Sequence, residues 1–176
     1  QAANQLDLTA QDTIRGLGET CFKLQDWPGA LTNFQKVLTS LDETDSDDRA
    51  YVYYRLGQIK QAQGQPKQAI NNFEKALGVV ANHRPTLDAL VELYDAAKDY
   101  KQVCFYKRAI LDDVMDADER FRMLVEIGDI WGDKEGERDK VDAPRKAIEA
   151  YEEALSIEPQ NHVILHKALR LYQVAS

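Results

Sequence analysis

Residues Tyr53–Leu77 read YYRLGQIKQAQGQPKQAINNFEKAL. Two short helical patterns flank a Gly64-Gln65-Pro66 turn. Leu56 and Gly57 lie on the first pattern, and Ala69, Phe73, Ala76 and Leu77 on the second. Gly57, Ala69 and Ala76 are small residues where two helices would cross. They let the backbones approach, while Tyr53, Leu56, Phe73 and Leu77 fill the flanking space. One such hairpin cannot bury its apolar face alone, so the pattern should recur along the chain.

It recurs on both sides. Ile14, Leu17, Gly18 and Cys21 form a first-helix pattern after Thr9 and Asp12, which read as a helix N-cap. The turn Asp26-Trp27-Pro28-Gly29 leads to Ala30, Phe34, Val37 and Leu38. Further on, Leu87, Leu90 and Tyr94 precede the turn Asp99-Tyr100, and Val91 replaces the glycine. Val103, Tyr106, Ala109 and Ile110 then run one residue short, which would turn that helix by about 100° unless the turn absorbs it. Asp116 and Glu119 resemble a capping box, and Leu124, Ile127, Gly128 and Trp131 form the next first helix. Its partner carries Ala147, Tyr151, Ala154, Leu155 and Pro159 in KAIEAYEEALSIEP. Between them lies GDKEGERDKVDAP (132–144), about seven residues longer than a standard turn. A last first-helix pattern has Leu165, Leu169 and Tyr172.

The Leu-Gly pair followed by Ala-x3-Phe-x2-Ala resembles the tetratricopeptide repeat, a unit of about 34 residues. The resemblance places repeats at approximately 11–44, 50–83, 84–116 and 121–161, with a partial repeat at 162–176. It implies an all-α, right-handed superhelical solenoid of helix-turn-helix hairpins, read as a single array over 1–176. The helical pentatricopeptide class, which reads RNA, has similar hairpins, but the Leu-Gly spacing and the acid excess favour the tetratricopeptide class.

Lys plus Arg total 22 and Asp plus Glu total 30, a formal charge of -8. That balance argues against nucleic acid and against an anionic membrane surface. At 44% hydrophobic and 30% charged residues, the chain suits a folded helical protein. No apolar run approaches the roughly 18 residues that cross a bilayer. Cys21 and Cys104 form neither a disulfide framework nor zinc spacing, which favours a reducing, cytoplasmic setting. The chain starts without Met and ends on a first-helix pattern, so it reads as a segment of a longer repeat protein.

No catalytic constellation, cofactor motif or metal site is expected. His162 and His166 are four apart, but Val163 stands where a metalloprotease would carry Glu. Cys21 reads as a buried, inert thiol. The acidic stretch Asp42–Asp48 lacks the Gly and closing Glu of a calcium loop and reads as a solvated linker.

The resemblance implies that first helices line a concave groove that takes a peptide or helix of another protein, without catalysis. First-helix positions outside the core set are Arg15, Glu19 and Phe22, then Tyr54, Arg55, Gln58 and Gln61. Asp88, Glu92 and Asp95 follow in the third repeat, and Arg122, Glu126, Asp129 and Asp133 in the fourth. The groove is thus mixed at first and acidic later, which favours a basic or amphipathic partner. Arg15 and Arg55 could imitate two groups of the family's carboxylate clamp, but Glu19, Pro85 and Ala89 stand where others are needed. The alternative is a structural spacer, or a segment that self-associates through uncapped ends.

Overall fold

The computed structural model describes residues 2–132 and 143–175. Among them the chain is all α-helix, in nine helices without a strand. These are α1 (Ala2–Lys23), α2 (Trp27–Ser40), α3 (Ser46–Ala62), α4 (Pro66–Val79), α5 (Arg84–Ala96), α6 (Tyr100–Leu111), α7 (Ala117–Gly132), α8 (Ala143–Ile157) and α9 (His162–Ala175). The insertion at 133–142, with Asp133, lies outside the described residues. The chain divides into two compact units, Gln1–Leu93 and Tyr94–Ser176, the boundary falling within α5.

In the first unit, α1 pairs with α2 and α3 with α4. A Cβ added to Gly57 would lie closer than 3.0 Å to three atoms of the Phe73 ring. Only a hydrogen at that position lets α3 and α4 cross over a fully buried phenylalanine. Gly18 faces Phe34 less closely, with an added Cβ 3.3 Å from the ring. Ala30, Phe34, Val37, Val52, Leu56 and Ile59 build one core that joins α2 to α3, with Ile14, Cys21 and Phe22 of α1 packed against it. Each fully buried Phe, Leu or Ile contributes about 1.5–3 kcal/mol.

Two of the second helices, α2 and α6, start at an aspartate cap. The Asp26 carboxylate accepts from the Gly29 N–H at 3.1 Å, and Pro28 occupies the first turn of α2. Asp99 accepts from Gln102 N–H at 3.3 Å to start α6. The expected Asp116 cap is present, its carboxylate accepting from Glu119 N–H at 2.7 Å. Asp47 and Asp48 sit in the first turn of α3, where carboxylates favour the helix N-terminus.

In the second unit, α7 and α8 repeat the crossing. A Cβ on Gly128 would press closer than 3.0 Å onto the Tyr151 ring. Leu124, Ile127 and Trp131 pack there with Ala147, Ile148, Ala150 and Ala154. The α9 helix joins this core through Ile164, Ala168 and Leu171.

Several expectations need correction. The first helix does not begin at Thr9, because α1 starts at Ala2. No Gly or Pro interrupts residues 2–8, and Ala2, Ala3, Gln5 and Leu6 are good helix formers, so nothing stops the helix earlier. Leu17 is exposed rather than in the core. Cys21 is only half-buried, with Asn33 Nδ2 at 3.9 Å from its sulfur; Cys104 is the buried cysteine. In α9 the buried stripe is Ile164, Ala168 and Leu171, while Leu169 and Tyr172 are exposed. HVILHKALRLY carries two apolar stripes one residue apart, and packing against α8 selects one of them.

The deletion expected in the third repeat is absent. Gln25, Gly64 and Lys98 all have positive φ, of 59°, 68° and 58°. Each stands five residues before a buried residue, Ala30, Ala69 or Val103, and a second buried residue follows seven later, Val37, Ala76 or Ile110. The turn and the helix phase are therefore the same in all three hairpins. What differs is the slot held by Phe34 and Phe73, which falls on Lys107. Tyr106 is the buried aromatic instead, stacked on Tyr94 with centroids 5.6 Å apart.

Candidate interaction surface

The first-helix positions of the first unit converge into one bonded cluster. Glu19 on α1 takes a two-pronged contact from the Arg55 guanidinium on α3, at 2.9 and 2.6 Å. Both side chains are 22% exposed, so this pair is more shielded than a surface bridge. The Tyr51 hydroxyl donates to Glu19 at 2.5 Å and accepts from Arg55 Nε at 3.0 Å. Arg55 also donates to Gln58 at 2.9 Å, and Gln58 donates to the Tyr54 hydroxyl at 2.8 Å. The guanidinium lies 4.8 Å from the Phe22 ring centre and 5.3 Å from that of Tyr51. Arg15 packs over the other region of the cluster, 4.4 Å from the Tyr51 ring and 2.5 Å from Asp48. Both arginines are thus already paired within the chain, and neither is arranged as a carboxylate clamp.

Burial raises the Tyr51 phenol above its ordinary range, with the hydrogen bond to Glu19 adding to it. Burial raises Tyr54 as well. Both remain neutral hydrogen-bonding groups at physiological pH. The Tyr54 ring packs on Phe73 and meets the His83 ring edge-on, with centroids 5.9 and 5.6 Å away. His83 Nδ1 lies 2.6 Å from the Thr86 hydroxyl, which is fully buried at the start of α5.

Burial lowers the His83 pKa below its usual 6.5, against a smaller opposing pull from Asp47. The unfolded chain then binds the proton more readily than the folded one. The stabilisation from neutral His83 is complete above about pH 6.5 and declines as pH falls through the folded value. Urea titrations at stepwise lower pH should show this decline, and His83→Gln should flatten it. An unchanged pH profile in His83→Gln would exclude the effect.

Of the sequence-predicted positions, Arg15, Tyr54, Arg55 and Gln58 belong to this cluster, together with Glu19 and Phe22. Tyr51, Asp48 and His83 complete it and were missed. Tyr51 precedes Arg55 by four residues and so shares its helix face, a signal present in the sequence. His83 lies beyond the end of α4, and its place beside Tyr54 depends on the packing.

The acidic positions are less bare than their count suggests. Asp88 is held by Arg84 at 3.0 Å. In the second unit Glu126 is held by Lys107 at 2.7 Å. Asp129 pairs with Lys167 at 2.5 Å and accepts the Tyr151 hydroxyl at 2.6 Å. Glu92 and Asp95 are exposed and make no ion pair among the described residues. His162 and His166 line a shallow depression on α9 with Val163, Lys167 and Arg170. Among the described residues no group of three or more His, Cys, Asp or Glu is placed to hold a metal ion. None of the described helices is long and apolar enough to cross a membrane.

A tetratricopeptide-repeat family model matches residues 9–82, and a second model of the same family matches residues 144–161. A search of curated proteins finds no match. Among solved structures, pilF of Pseudomonas aeruginosa is 19% identical, with a TM-score of 0.52 over 94% of this chain and 68% of its own. MamA (41-end) of Desulfovibrio magneticus RS-1 is 17% identical, with a TM-score of 0.55 over 92% and 82%. YrrB, described as a TPR protein with an unusual peptide-binding site, is 18% identical, with a TM-score of 0.53 over 92% and 76%. At such identities the likeness speaks for the fold alone. The family models, the repeated Gly-aromatic crossings and the shared turn agree: the chain belongs to the tetratricopeptide-repeat family.

Proposed function

We propose that this chain is a protein-interaction scaffold whose first unit takes a peptide or helix of a partner protein across the face shared by α1, α3 and the start of α5. The observation that carries this reading is the bonded cluster around Arg55. Rings of Phe22 and Tyr51 and the polar ends of Glu19, Gln58 and Tyr54 are held in fixed relation by it. A surface ordered before binding loses less side-chain entropy when a partner arrives. YrrB, of the same fold, is described as having a peptide-binding site, and a peptide is the ligand proposed here too. The role is binding, with no chemical step assigned to any residue.

The charge preference rests on fewer groups than the carboxylate count implies. Glu92 in the first unit and Asp95 in the second are the candidates without an internal cation among the described residues. Asp88, Glu126 and Asp129 are offset by Arg84, Lys107 and Lys167. A basic residue in the partner therefore adds little, and added salt should weaken binding only modestly.

The test is a peptide library screened against the whole chain, followed by titration calorimetry on the strongest binder. Arg55→Lys keeps the charge but cannot hold Glu19 in two prongs. It should weaken binding about tenfold, or 1.4 kcal/mol, with helix content unchanged. Equal affinity in wild type and Arg55→Lys would overturn the assignment of this face.

A further inference from the structure

We infer that the second unit carries a separate binding site, between α6, α8 and the end of α7, for a partner polypeptide that places a bulky apolar side chain beside a carboxylate. The site is a cleft of about 350 Å³. That is near the lower end of the range for ligand pockets, about 300–1,000 Å³, and suits a side chain with its neighbour rather than a folded surface. Its lining comes mainly from second helices, whereas the positions considered above belong to first helices.

Two aromatic residues supply the apolar part. Trp131 is nearly buried, and Phe105 is 63% exposed. The hairpin register makes Phe105 unusual. It stands two residues after Val103, where the other hairpins carry Thr32, Asn71 and Glu149 after Ala30, Ala69 and Ala147. Those three positions are exposed and polar. Here alone among them a large ring faces solvent at the edge of a cleft, and most of its transfer free energy is unclaimed.

The charge of the cleft points to the second half of the ligand. Lys101, Arg108 and Lys146 line it, against Glu149. Arg108 is bonded to Glu153 at 2.6 Å, which offsets it. Lys101 and Lys146 make no ion pair among the described residues, and Lys146 Nζ is held 4.6 Å from the Trp131 ring centre. In a chain of net charge -8, two ammonium groups without an ion pair among the described residues thus stand beside an exposed ring. An apolar side chain against Phe105 with an adjoining Asp or Glu toward Lys101 and Lys146 satisfies both features.

The chain's two tryptophans are Trp27 and Trp131, so Trp27→Phe leaves Trp131 as the reporter. The probe is a short peptide with Leu-Phe between two Asp-Glu pairs; its control has Lys-Lys in place of each Asp-Glu. Saturable change in Trp131 emission is expected with the acidic probe. Phe105→Ser, and Lys101→Glu with Lys146→Glu, should each weaken it by about fivefold or more. Should the double lysine variant fail to fold, Lys101→Glu alone and Phe105→Ser carry the test. Arg55→Lys, which tests the first-unit face, should leave this binding unchanged. No saturable change, equal binding of the lysine control, or binding untouched by the Phe105 and lysine variants would overturn the site. Free 3-phenylpropanoate binding as tightly as the peptide would overturn the polypeptide source.

Discussion

Gly57→Ala is expected to destabilise the first unit by about 2–4 kcal/mol, at the upper end for an added core methyl. The new Cβ would fall closer than 3.0 Å to Phe73 Cε1, Cδ1 and Cζ. The ring cannot swing aside, because Phe73 is fully buried against the same crossing. Either α3 and α4 separate or the ring leaves its rotamer, and both routes lose packing. Thermal unfolding followed by circular dichroism should show the midpoint lowered by about 8–25 °C. Phe73→Leu in the same chain removes the clash and should restore part of the loss. Gly16→Ala is the control on α1. Nothing lies within 4 Å of its added Cβ, so the change should stabilise by about 0.5–1 kcal/mol through helix propensity. A Gly57→Ala midpoint within about 2 °C of wild type would exclude the close crossing.

Tyr151→Ala is the second large effect, at about 3–5 kcal/mol in the second unit. Its ring fills the space over Gly128, packed with Leu124, Ile127 and Trp131. Tyr151→Phe keeps the ring and loses only the hydroxyl bond to Asp129. Asp129 remains paired with Lys167, so the cost should be about 1–2 kcal/mol. The two variants separate packing from hydrogen bonding. The phenol gives a third readout. Burial, and then the bond to Asp129, hold the Tyr151 pKa far above its usual 10. Above that pH the unfolded phenol loses its proton while the folded one keeps it. Stability from this group is therefore complete below about pH 10 and falls as pH rises further. Urea midpoints across that range should decline less steeply in Tyr151→Phe. Parallel pH profiles would exclude Tyr151 as the source.

Much of the architecture was readable from local chemistry. The Gly57 and Phe73 pair, repeated as Gly18 with Phe34 and Gly128 with Tyr151, announces helix crossings because only a small residue permits that approach. Asp26, Asp99 and Asp116 announce helix starts because their carboxylates cap nearby N–H groups. The bonded cluster was legible in part. Arg15, Tyr54, Arg55 and Gln58 were singled out because helical period separates a first helix's outer positions from its core. Tyr51 shares that period with Arg55 and could have been found by the same rule.

The sequence by itself determined the hairpin period, the crossing residues and the family, since each depends on spacing within one or two helices. Only the tertiary structure decided which apolar stripe of α9 is buried, because two stripes are present and α8 selects one. It also showed that the third hairpin keeps its phase, with Lys98 adopting the left-handed turn that Gly64 takes at no cost. Finally, it decided which charges are already matched. Asp48 with Arg15, Glu19 with Arg55 and Asp129 with Lys167 are joined across 33, 36 and 38 positions of sequence. Such partners meet only when separate helices are packed, so composition counts their charges without showing that they are already paired.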